Sequence, residues 1–132
     1  MSHQVHEFAV TVHYEDTDMA GIVYHANYLK FIERGRSDWV RAMGVDQLAL
    51  RDTQGVVFVL RRIEADYRAP ARFEDQLSVT TRVGQVSGVR LTLHQEVLRA
   101  GELLFSAEVT LVAMTLDGHP TRLPQELRRK VH

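Results

Sequence analysis

The chain has 132 residues, enough for one domain around a single core and too few for two. With 45% hydrophobic and 25% charged residues it has the composition of a globular protein, and a formal net charge of −1 supplies no overall field to attract nucleic acid. No cysteine is present, which excludes disulfides, thiolate metal sites and cysteine nucleophiles and fits a reducing compartment.

No apolar run approaches the roughly 20 residues of a membrane span, and the opening "MSHQVHEFAV" has no signal-peptide pattern. A soluble, cytoplasmic protein without a membrane span is expected. In chain order, "HEFAVTVHY" (residues 6–14) alternates, with Phe8, Val10, Val12 and Tyr14 on one face, and predicts a half-buried strand. A loop follows, and then residues 26–43 read as one amphipathic helix. Tyr28, Phe31, Ile32, Gly35, Trp39 and Met43 recur there at three- and four-residue steps. Gly44 is a natural stop, and Gly35 on the apolar face predicts close approach of the helix to a sheet.

A short helical turn is expected over Asp46–Asp52, followed by four strand-like runs. The first, "VVFVLRRIEADYRA", puts Val57, Val59, Ile63, Ala65 and Tyr67 on one face, with Arg61 as the exception. In "QLSVTTRVG" the apolar set is Leu77, Val79 and Val83, and in "VRLTLHQEVL" it is Val89, Leu91, Leu93 and Val97. In "LLFSAEVTLVAMT" it is Phe105, Ala107, Val109, Leu111 and Ala113, and "PQELRRKVH" predicts a terminal helical turn. Clean alternation means antiparallel strands with one buried face. A helix of about eighteen residues, about 27 Å long, can lie across five such strands. The expected fold is α+β, a single domain over residues 1–132 with a curved antiparallel five-stranded sheet wrapped around one long helix. One helix cannot cover every edge and face, so a second copy is expected to associate.

The loop before the helix, "YEDTDMAGIVYHANY", crowds acids, a glycine and a histidine into one turn. Asp16 and Thr17 read as turn-formers bonding local N–H groups, and Glu15 as a solvated charge. Tyr14 either positions Asp18 or closes the core. Neither a facial triad nor a two-histidine helical spacing is present, and His3, His6, His13, His94, His119 and His132 are scattered. No functional metal is expected.

Tyr14, Asp16, Thr17, Asp18, Gly21, Val23, Tyr24, His25 and Tyr28 resemble the signature of hot-dog-fold acyl-CoA thioesterases of the 4-hydroxybenzoyl-CoA thioesterase family. Within that family the resemblance is greatest to the Tol–Pal-associated branch. It continues through "ERGRSDWVR" in the helix and "YRAPARFED" between strands, and so covers essentially the whole chain. It implies a hot-dog fold and a homodimer or homotetramer with active sites where two subunits meet. It also implies hydrolysis of short- or medium-chain, or aromatic, acyl-CoA, with Asp18 as catalytic carboxylate. The backbone N–H of His25, at the helix start, would polarise the thioester carbonyl. Tyr14, Gly21, Val23, Tyr24, Arg68, Arg72 and Arg90 are the expected substrate-binding set.

These residue types suit the chemistry. A thioester needs a nucleophile or activated water and donors for an oxyanion, and hardly a general acid, because a thiol of pKa about 8.5 leaves readily. A helix start offers unpaired N–H groups and a partial positive charge, and Gly21 lets backbone approach the substrate. Asp18 can attack the carbonyl or deprotonate water, and the His25 imidazole can act directly or merely bind near the helix end. Coenzyme A belongs to the substrate, so no cofactor is expected. Arg68 and Arg72 flank the turn at Pro70, where a phosphate of coenzyme A can rest. "QVSGVR" has Arg90 as its only charge, where the hydroxybenzoyl enzymes carry a basic run, which leaves acyl carrier protein as an alternative donor. A hydratase or dehydratase, or a non-catalytic thioester-binding protein, are the alternative readings.

Overall fold

Alternating residues build five strands: β1 (His6–Thr11), β2 (Val56–Tyr67), β3 (Gln76–Val86), β4 (Arg90–Arg99) and β5 (Glu102–Thr115). They form one antiparallel sheet in the order β1-β3-β4-β5-β2. The described residues also form three α-helices: α1 (Asn27–Ala42), α2 (Gln47–Gln54) and α3 (Gln125–Val131). The structure, a computed structural model, describes residues 4–131; His3 and His132 lie outside the described residues. This is the hot-dog architecture that the resemblance implies.

Helix α1 packs on β1, β3 and β4, and buries Tyr28, Phe31, Ile32, Gly35, Trp39 and Val40. A methyl group built on Gly35 would sit 2.6 Å from Val79 Cγ1, so only glycine lets the helix come this close to β3. Gly44 follows the last turn with φ +86°, in the left-handed region that ends helices. Beneath α1, one cross-strand row (Phe8, Val79, Val97, Phe105, Tyr67) crosses all five strands.

The neighbouring row holds two buried polar residues that alternation alone does not announce, Thr81 and Gln95. Gln95 Nε2 donates to Ile32 O at 2.9 Å and to Thr81 Oγ1 at 2.8 Å. Its Oε1 accepts from Arg36 Nη1 at 3.1 Å, so the amide is satisfied and the burial is tolerated. Desolvation pushes the half-buried Arg36 guanidinium below its ordinary pKa.

Three expectations need correction. Tyr14 does not continue β1: it opens a 3₁₀ turn (Tyr14–Asp16) and is 79% exposed, edge-on to Phe73, so it closes no core. Val89 belongs to the β3–β4 hairpin and not to the buried face of β4. In β2, Val57 and Val59 face away from the core, while Phe58 and Leu60 face it, opposite the buried Ala113 and Leu111. The register shifts between Leu60 and Arg62, which leaves Arg61 as an inserted residue. Such a bulge reverses the parity of the strand, so Ile63, Ala65 and Tyr67 return to the core side.

Candidate active site

The loop before α1 is built by short local bonds. Asp18 N–H donates to Ile22 O and Gly21 N–H to Asp18 O, closing a tight turn in which Gly21 has φ +79°. A methyl group placed on Gly21 would meet no protein atom within 4 Å, so within the chain it is the left-handed backbone of the turn that calls for glycine. Thr17 donates to Tyr14 O, as expected of a turn-former.

Asp16 does more than shape a turn. It is 6% exposed, and its Oδ2 accepts from His13 N–H at 2.8 Å while its Oδ1 accepts from Asn27 Nδ2 at 2.9 Å. The pair ties the loop to the first residue of α1. Asn27 was not anticipated, because its partner lies eleven positions earlier in the chain.

Asp18 has one oxygen engaged. Its Oδ1 accepts from Ala20 N–H at 2.9 Å, and Oδ2 has no hydrogen-bond partner among the described residues. The side chain lines a cleft of about 320 Å³ together with Ile22, Val23, His25, Tyr28 and Tyr67, and the opposite wall is Arg68, Ala69 and Pro70. Three valleys elsewhere on the surface are larger or comparable. One of them pairs Asp46 with the start of α2, but that carboxylate caps its own helix by accepting from the Ala49 N–H, and the other two hold no helix start.

Among the described residues no side chain caps the start of α1, where the N-cap position is Ala26. The N–H groups of His25 and Ala26 have no acceptor among the described residues. Tyr24 O accepts from Asn27 N–H at 2.8 Å. A trans peptide points its N–H opposite to its C=O, so with Tyr24 O turned into the helix, the His25 N–H points out of it. On the following peptide, His25 O accepts from Tyr67 Oη at 2.8 Å. Burial pushes the Tyr67 phenol up, which keeps it protonated and donating at neutral pH.

The cleft wall is stitched in place. Arg68 and Ala69 N–H both donate to Leu104 O, Val23 N–H donates to Ala71 O, and Ala71 N–H donates to Tyr28 Oη. Arg99 Nη1 reaches Pro70 O and Asp75 Oδ2, the latter at 2.7 Å. Partial desolvation works against it, but the Arg72 N–H and the Arg99 guanidinium hold the Asp75 carboxyl below its usual range. Below the cleft, Tyr28 stacks on Phe105 at 5.1 Å and Tyr67 meets both edge-on.

Asp18, Val23, His25 and Arg68 therefore converge on one cleft. Tyr24 lies beside it, its ring 4.5 Å from that of His25. Arg72 braces the loop through a backbone bridge to Ile22, with its side chain exposed. Arg90 opens β4 just after the β3–β4 turn, at the opposite end of the sheet from the loop, so one protomer does not bring it to the cleft. Tyr67 was read as a core residue; its position on the edge strand is what turns it into cleft wall. Among the described residues no group of three or more metal-binding side chains occurs, and no helix is long and apolar enough to cross a membrane.

Comparison with known proteins agrees with this architecture. Residues 12–131 match the family model of the thioesterase-like superfamily. The chain is 36% identical over 126 residues to an acyl-CoA thioesterase, YbgC, of Haemophilus influenzae, covering 95% of this chain and 93% of that one. It is 37% identical over 129 residues to the acyl-CoA thioester hydrolase YbgC of Escherichia coli, covering 96% of each. Among solved structures, a probable thioesterase from Bartonella henselae superposes with a TM-score of 0.88 at 35% identity, covering 92% of this chain and 100% of that one.

Proposed function

The chain belongs to the thioesterase-like superfamily, and from that premise we propose that it hydrolyses acyl-CoA thioesters to the free acid and coenzyme A. One observation carries the reading to the residues: a carboxylate with a free oxygen and an uncapped helix start line the same cleft. The thioester carbonyl sits between them. Its oxygen accepts from the His25 N–H, and Asp18 either attacks the carbonyl carbon or takes a proton from a water that does. The C–S bond then breaks, and the sulfur leaves as thiolate. An aimed backbone donor of this kind contributes about 10²–10³ in rate.

A cleft of about 320 Å³ with an aromatic floor suits a short, medium or aromatic acyl group. Arg68 is the cation placed to meet a phosphate of coenzyme A. With Arg90 remote, nucleotide contacts in one protomer are few, and an acyl carrier protein offering the same pantetheine thioester is a second donor. The reaction needs no cofactor. It proceeds in a homodimer or homotetramer, and a cytoplasmic setting suits both the substrate and a chain without cysteine.

Thiol release from a panel of acyl-CoA esters, followed with a colour reagent, tests the reading. Asp18→Asn is expected to lower turnover about 10²–10⁴-fold with the fold retained. Near-wild-type hydrolysis by that variant, or tight thioester binding by the parent protein without thiol release, would overturn it.

A further inference from the structure

Tyr67 ends the cross-strand row of the sheet on its open edge, 51% exposed, and bonds a carbonyl at the start of α1 forty-two residues earlier in the chain. We propose that the Tyr67 hydroxyl is a positioning group for the oxyanion donor: it clamps the His25–Ala26 peptide and so aims the His25 N–H into the cleft. The inference rests on the thioesterase reading and adds a residue to it.

The geometry is that of a peptide held from both sides. A residue's N–H direction is set by the peptide before it, and the freedom of that peptide by the two dihedrals joining it to the next. Before His25, the Tyr24 carbonyl is fixed by the Asn27 N–H; after it, the His25 carbonyl is fixed by Tyr67. No side-chain cap contributes among the described residues, because the N-cap position is Ala26, and Asn27 directs its amide to Asp16. Tyr67 is itself immobilised. Its ring packs edge-on against Phe105 at 4.9 Å and Tyr28 at 5.5 Å, and both of those are buried. The hydroxyl is thus carried on a rigid stem from the sheet to the helix start. A hydrogen bond accepted by a peptide carbonyl also polarises the N–H of that same peptide, so the bond from the Asn27 N–H to Tyr24 O favours donation by the His25 N–H to an oxyanion. Ring and hydroxyl have separable effects: the ring forms the floor on which the acyl group rests, and the hydroxyl alone holds the peptide.

Tyr67→Phe separates them. It keeps the ring and its contacts and deletes one hydrogen bond. kcat is expected to fall about tenfold, the scale of one net hydrogen bond, with KM within about twofold of the parent. The dissociation constant of a non-hydrolysable thioether analogue of acyl-CoA, which develops no oxyanion, is expected to stay unchanged; that also reports an intact cleft. Unchanged kcat, or a fall in kcat matched by equal weakening of analogue binding, overturns the proposal. Asp18→Asn keeps the two readings apart. If it is inactive while Tyr67→Phe is unaffected, only the role of Tyr67 falls; if it is active, the catalytic assignment falls first.

Discussion

Asp16 and Asp18 are two positions apart and chemically identical, yet the structure gives them opposite environments. Asp16 is buried with both oxygens accepting, one from the His13 N–H and one from Asn27 Nδ2. Asp18 is exposed to the cleft with one oxygen free. In Asp16→Asn, an NH₂ must face one of two donors, which leaves a buried group unpaired at about 1–3 kcal/mol. The thermal midpoint should fall by roughly 3–10 °C. Asp18→Asn keeps an oxygen for the Ala20 N–H, so its midpoint should match the parent while its turnover collapses. Circular-dichroism melts of the two variants side by side check the contrast, and equal melts would refute it. The D-x-D spacing was legible in the sequence, and so was the turn. Which aspartate is buried was not, since that depends on Asn27 across the loop, and short-range pattern carries no such information.

At the scale of elements, helical and strand periodicities located every described α-helix and strand to within a few residues, because each has one face turned to a common core; the 3₁₀ turn at Tyr14–Asp16 escaped them. The failures have a physical pattern. The bulge at Arg61 inverts the facing of half of β2, and an inserted residue is invisible to a two-residue repeat. Thr81 and Gln95 are polar in type and buried in fact. Gly35 is the informative success. Its replacement by alanine gains about 1 kcal/mol in helix propensity but drives a methyl to 2.6 Å from Val79 Cγ1 and 3.3 Å from Val79 Cβ. A β-branched neighbour has little freedom to turn aside, and overpacking costs about 1–3 kcal/mol. Gly35→Ala should therefore be destabilising by roughly 1 kcal/mol net, measured by urea denaturation. The Val79→Ala background opens space at that contact, so the double variant should be more stable than the sum of the single effects implies. A stabilised Gly35→Ala would show that helix and sheet are not in limiting contact.

At the scale of the molecule, the two-layer arrangement was legible from the count of elements, but the strand order was not, because pairing is set by contacts distant in sequence. That order matters for assembly. It places β2 at one edge, where Val59 and Leu60 stand about 40% exposed on opposite faces of the strand. Helix α1 lies over β1, β3 and β4 and reaches β2 through Tyr28 against Tyr67, while the shorter α2 also packs on β2. A twelve-residue edge strand with half-exposed apolar residues invites another chain. The cleft opens on the same side, since Tyr67 belongs to β2. A second copy laid against this edge would bury Leu60 and narrow the open side of the cleft. Leu60→Asp tests the idea. Leu60 is 46% exposed in the single protomer, so a charge there is tolerated by the fold, whereas an unpaired carboxylate inside an interface costs several kcal/mol. Light scattering across a concentration series should give at least a dimer for the parent protein and a shift toward the 15.1 kDa protomer for the variant, with thiol release falling in step with dissociation. A parent protein that is monomeric and fully active would remove the second copy from the site. A dissociated but active variant would show that the cleft of one chain suffices.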